Sequence, residues 1–148
     1  MRKIILAAAV LAAGANSAFA ASASGNFNVQ VKIATACTVG ATAMDFGTLN
    51  TVVGTETATS NVSVTCNKGT AYGLSFTNVA TIALATTTAA INLNNGLNVI
   101  PASLKVTGGA TGVATGGTDA GTVTGTLTAT AYPAAGTYSN TQTLYVIY

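Results

Sequence analysis

From Gly25 to Val39 the chain alternates apolar and polar positions for four periods, with Phe27, Val29, Val31 and Ile33 on one face, Asn28, Gln30 and Lys32 on the other, and Cys37 following. Period two marks a strand with one buried and one wet side, because successive side chains point to opposite faces of a sheet. Its apolar face requires a partner. Two partners stand open: the rest of its own chain, as in an ordinary β-sandwich, or a neighbouring molecule to which the strand is offered.

Similar alternation recurs along the chain. Asn61 to Cys66 places Val62, Val64 and Cys66 on one face, and Asp45 to Leu49 predicts a short strand with Phe46 inward and a bulge or bend at Gly47. Asn67-Lys68-Gly69 is a turn, and Tyr72 to Asn78 returns from it as a strand with Leu74 and Phe76 inward, which predicts a hairpin. The pattern from Val79 to Asn95 is weaker. There Ile82, Leu84, Ile91 and Leu93 suggest short edge strands closed by Asn94-Asn95-Gly96, with further short strands at Leu97 to Ile100 and Ser103 to Thr107.

Gly108 to Gly121 has hardly an apolar anchor and predicts a mobile loop. From Thr122 to Ala131, Thr at every even position faces water while Val123, Gly125, Leu127, Ala129 and Ala131 take the other side. After a turn at Pro133 to Gly136, the last strand puts Leu144, Val146 and Tyr148 on one face and Thr143, Tyr145 and Ile147 on the other. An apolar strand in that place predicts an open sheet edge. Beyond the first twenty residues there is no helical period, so the class is all-β, and about seven or eight short strands separated by turn residues predict a two-sheet sandwich.

Met1 to Ala20 has a different character: Arg2 and Lys3, an apolar stretch from Ile4 to Ala13, then Ala18-Phe19-Ala20. This is the layout of a secretory signal peptide. Its apolar run is shorter than the ~20 residues that span a bilayer, so no stable membrane insertion is expected. The mature chain is expected to start at Ala21, as one domain.

Setting Arg2 and Lys3 aside leaves Lys32, Lys68 and Lys105 against Asp45, Glu56 and Asp119, a balance of zero. No basic patch exists to hold nucleic acid. A surface of Thr, Ala, Gly and Val with so little charge suits packing against copies of itself, although a plain secreted β-domain fits the composition as well. Export also decides the cysteines. Cys37 and Cys66 are expected to form a disulfide in an oxidising compartment, contributing on the order of 3 to 4 kcal/mol by the chain-entropy model. A metal site or a reactive thiol would be expected to bring His residues, and the chain has none.

Candidate chemistry is sparse. Without His, and with three carboxylates scattered among loops and strand ends, no general base or carboxylate pair is in evidence, and catalytic residues, metals and cofactors are not expected. The Gly-rich stretch lacks the Gly-Lys-Ser/Thr of a phosphate-binding loop, and Asn61-Val62-Ser63 is taken as an incidental match to a glycosylation acceptor.

Four stretches together resemble one family: Ile33 to Gly40 (IATACTVG), Asp45 to Leu49 (DFGTL), Ser63 to Gly69 (SVTCNKG) and Gly136 to Thr141 (GTYSNT). In this order they are similar to the spore coat protein U family, which includes pilin subunits of archaic, Csu-type chaperone-usher pili. Val79 to Gly121 carries none of its motifs. The resemblance implies an immunoglobulin-like sandwich lacking its last strand, carried through the periplasm by a chaperone, passed to an outer-membrane usher, and completed by a donor strand from an identical or related subunit at the cell surface. It implies a structural role in attachment and biofilm formation.

On that resemblance residues 1–20 are the leader, 21–36 the donor segment running into the first strand, and 37–148 the sandwich. Donor side chains would be Phe27, Val29, Val31 and Ile33, and the groove or chaperone-docking strand would present Leu144, Val146 and Tyr148. A single stretch ahead of Cys37 must then supply both the donor, toward Ser22 to Val31, and the start of the home strand near Lys32. The alternative is a secreted, spore-coat-like or surface-binding sandwich that keeps its first strand and stays monomeric. A tip adhesin would usually need an additional receptor-binding domain, for which the chain has no room.

Overall fold

A computed structural model describes residues 23–49, 54–129 and 133–148. The expected leader, residues 1–20, lies outside the described residues, as does Ala131 of the threonine-alternating stretch. Two units divide the chain, Met1–Lys32 and Ile33–Tyr148. In the first, residues 23–32 are exposed and belong to no sheet. The second holds all the strands described.

Eight strands form among the described residues: β1 (Cys37–Ala41), β2 (Gly54–Cys66), β3 (Ala71–Ser75), β4 (Thr88–Asn95), β5 (Asn98–Gly108), β6 (Thr111–Val113), β7 (Thr118–Ala129) and β8 (Tyr145–Ile147). They make two antiparallel sheets, one ordered β1-β2-β7-β5-β4 and the other β6-β3-β8. The all-β class is therefore as expected, and the layers are compatible with an immunoglobulin-like sandwich.

Alternation in the long strands decides what the larger sheet buries. Val62, Val64 and Cys66 of β2, Ile100, Ala102, Leu104 and Val106 of β5, and Val123, Leu127 and Ala129 of β7 are all buried. The other face of this sheet carries hydroxyls, and Thr65 with Thr118 and Thr107 with Thr124 are bonded across strands at 3.2 and 2.9 Å. Such cross-strand pairs add a little stability without charge.

Several local readings need correction. Asp45 to Leu49 forms no strand; the Gly47 N–H donates to Asp45 Oδ1 at 2.8 Å, making a local turn in an irregular segment, with Gly47 at φ 71°. The turn at Asn67-Lys68-Gly69 is present, but it does not close a hairpin, because β2 pairs with β1 and β7 while β3 pairs with β6 and β8. The chain there crosses from one sheet to the other.

Ile82–Leu84 is a single 3-10 turn rather than an edge strand. It covers the outer side of β3, where a Cβ on Gly73 would lie 2.7 Å from Ile82 Cγ2. The buried Ser75 Oγ beside it accepts from the N–H groups of Thr77 and Thr86 at 3.1 and 2.9 Å. The two short strands expected around Leu97 to Thr107 are one, β5. Pro101 is tolerated because β7 pairing begins only at Ala102, so its missing N–H costs no bond on that side.

The stretch Gly108 to Gly121 is not a featureless loop. It contains β6 and the start of β7, held by main-chain bonds from Leu74 N–H to Ala110 O at 2.7 Å and from Ala114 N–H to Thr70 O at 2.8 Å. Gly109 turns the chain at φ 64°, and a Cβ there would stand 2.6 Å from Ala120 O, a main-chain atom that cannot swing aside. Gly109→Ala is expected to cost about 1 to 3 kcal/mol through strain and that clash. A lowered urea midpoint with an unchanged m value would show it.

The cysteines are bonded as expected. Cys37 and Cys66 face each other across the β1–β2 pair, with their Cα atoms 4.1 Å apart. Burial within the main core cluster raises the pKa of the Tyr72 phenol, with Asp119 adding to the shift.

Candidate acceptor groove

The two sheets are unequal. Five strands of up to 13 residues face three strands of 3 to 5 residues, so the smaller sheet covers only part of the larger one. Beneath the covered part lies the main core, with Leu74 fully buried against Val62, Val64, Leu104 and Val123. The remainder is a second cluster of Leu93, Ile100, Ala102, Leu127 and Ala129, on which, among the described residues, Ile91 of β4 and the irregular segments that bring Phe46, Leu49 and Tyr138 are packed.

This incomplete cover leaves an open groove of about 900 Å³. Its floor is apolar: Ile91, Leu93, Ile100, Leu104, Val123 and Leu127 come from β4, β5 and β7. One wall is the segment 41–49 and the other the segment 133–144. A trough of that size with so apolar a floor is large enough for a row of side chains.

Each wall is fastened at a definite place. Thr42 starts the first: its N–H donates to Asn61 O at 2.9 Å, its hydroxyl accepts from Asn61 N–H at 2.9 Å, and its carbonyl accepts from Ser60 Oγ at 2.6 Å. Further along, Met44 and Phe46 lie over Gly125 of β7, where a Cβ would collide with Met44 Sδ and stand 2.9 Å from Phe46 Cζ. The second wall is pinned to β4. Asn94 and Ser139 exchange two main-chain bonds of 2.9 and 3.1 Å, Asn140 Nδ2 donates to Asn92 O at 2.7 Å, and Tyr138 Oη donates back to Ala134 O at 2.8 Å. The Tyr138 bond gives the GTYSNT stretch a structural purpose, since a tyrosine tied to the main chain a few residues upstream locks a sandwich corner.

The residues singled out from sequence fall in three places. Leu144 lines the groove and packs on the main core. Val146 is half-buried on that core, and the neighbouring Ile147 is buried, while Tyr148 is 56% exposed and does not line the groove. Phe27, Val29, Val31 and Ile33 are 85, 80, 83 and 76% exposed, a row of apolar side chains of a kind a folded protein normally covers. What the sequence reading missed is the groove floor, because Ile91, Leu93, Ile100 and Leu127 look like ordinary core positions until the shortness of the opposing strands is known.

Among the described residues no group of three or more His, Cys, Asp or Glu could hold a metal ion, and no helix is long and apolar enough to cross a membrane. No curated protein and no solved structure matches the chain. A family model for the Spore Coat Protein U domain does match, over residues 23–144, a span that takes in the exposed apolar row, the disulfide and both walls of the groove. The chain therefore belongs to the Spore Coat Protein U domain family, which comprises subunits of chaperone-usher pili.

Proposed function

We propose that this chain is a structural pilus subunit that polymerises by donor-strand exchange, the segment bearing Phe27, Val29, Val31 and Ile33 of one copy entering the groove of the next. The observation that carries the proposal is the coincidence, in one chain, of an exposed apolar row with period two and an open apolar trough. An entering strand would face the floor with alternate side chains and offer its main chain to the wall formed by residues 133–144. Each apolar side chain buried there contributes about 1.5 to 3 kcal/mol, and a row of four offsets the cost of ordering an extended segment.

On this reading the subunit crosses the periplasm with a chaperone strand in the groove and is exchanged onto a growing fibre at an outer-membrane usher. Its partners are identical or related subunits, and its place is the cell surface, where fibres support attachment and biofilm formation. No role for a cofactor or for catalysis enters this scheme.

Purified, leaderless chain at micromolar concentration is expected to form polymers, seen as a ladder on unheated gels and as early-eluting material in size exclusion. An excess of a synthetic peptide with the sequence of residues 22–36 should cap the groove and hold the chain as monomer. A stable monomer without peptide would instead favour a secreted, surface-binding sandwich that uses its own first strand.

A further inference from the structure

The wall formed by residues 42–49 has an unusual attachment. Main-chain and hydroxyl bonds hold it at Thr42, yet among the described residues the only further hydrogen bond from 43–49 is the local one between Asp45 and Gly47. Among the described residues, side-chain packing is what keeps it over the floor. Met44 lies against the main core and Phe46 and Leu49 against the second cluster, each of them only half-buried.

Gly125 makes this packing possible. It is buried in the inward row of β7 between Val123 and Leu127, where its neighbours in the row project side chains and it projects none. Met44 and Phe46 occupy the space that a side chain at 125 would fill. With its described main-chain bonds gathered at Thr42 and its other side chains lodged in a seat made by a glycine, the segment 44–49 can leave that seat without breaking a main-chain pairing among the described residues.

The geometry points to the segment Met44 to Leu49 as a displaceable strap that occupies part of the groove floor in the free subunit and is released when a strand enters. This rests on the reading of the groove as a strand acceptor and adds a regulatory element to it: the strap competes with the incoming strand for the floor. Such competition lowers apparent affinity by the fraction of subunits whose strap is open, and it keeps apolar floor covered while no strand is present. The side chain most responsible is Phe46, which bridges the Gly125 seat and the second cluster.

The test uses the leaderless full-length chain carrying Val29→Asp, to prevent self-assembly, and a fluorescently labelled peptide of residues 22–36. The chain has no Trp, so Phe46→Trp installs a single indole reporter in the strap. Peptide binding is followed by anisotropy and the strap by indole emission. The expected result is saturable binding with a simultaneous red shift, as the indole moves into water. Binding with no emission change would mean that the strap is a fixed wall and would overturn this inference while leaving the acceptor reading intact. No binding at all would sink both.

Phe46→Ala supplies the second measurement. Removing the competitor should lower the melting temperature of the free subunit and yet tighten peptide binding by about tenfold, because more subunits stand open. A purely structural Phe46 would give a lower melting temperature with unchanged or weaker binding, and that result also overturns the strap.

Discussion

Val29→Asp is expected to abolish fibres while leaving the subunit folded. Val29 is 80% exposed in the single chain, so a carboxylate there meets water, and the melting temperature should move by no more than the ~0.5 kcal/mol typical of an exposed site. In a neighbour's groove the same carboxylate would face Leu, Ile and Val side chains with no charge to pair it, a burial that costs several kcal/mol. Electron microscopy of cells and unheated gels of surface extracts would report the loss. Asn28→Asp, on the polar side of the same segment, should leave fibres in place. If Val29→Asp instead disappears from the periplasm as misfolded protein, the segment packs within its own sandwich, and the donor assignment fails.

Breaking the disulfide is expected to have the next largest effect. Cys66→Ser should lower unfolding free energy by about 3 to 4 kcal/mol, out of the roughly 5 to 15 that a domain of this kind has, because the unfolded chain regains the freedom of a closed loop. Cys66 is 5% exposed, so the serine hydroxyl would also lie in the core. Denaturation with and without reductant separates the bond from the substitution. Reductant should shift the midpoint of the unaltered chain and leave that of the variant where it is. Equal midpoints for the unaltered chain under both conditions would show that the bond contributes little.

How far such features were legible in the sequence depended on whether their cause was a side chain. Val62, Val64 and Cys66 announce the inner face of β2 through their own spacing, and the buried row of β7 is visible in the same way between the threonines. The Asn67-Lys68-Gly69 turn was legible as a turn, with Gly69 at φ 83°, but not its destination. Local chemistry bends a chain alike whether it returns beside the strand it left or crosses to the facing sheet. β6 was missed because main-chain bonds to the segment around β3 hold it and its residues have no pattern to display.

The groove was harder still. Its floor resembles any core, and its strap is seated by an absence, the missing side chain of Gly125. In a sequence that glycine sits among threonines in a regular alternation and looks like a weak position in a strand. Only the placement of Met44 and Phe46 above it shows that the empty position is occupied by another part of the chain.

The position of the disulfide has a mechanical consequence. A pull on the chain ahead of Cys37 meets first the two bonds between Ala36 and Asn67, of 2.7 and 3.2 Å, and then the Cys37–Cys66 pair at which the β1–β2 register begins. Without a covalent link, that load would fall on the five β1–β2 register pairs from Cys37 to Ala41. The disulfide lies on the first rung. Tension therefore passes through the sulfur bridge into β2, which is joined to β7 by twelve register pairs from Gly54 to Thr65. Force is thus shared with the longest ladder of the sandwich, and the bond that stabilises a small domain at rest also spreads load beyond the five register pairs of β1.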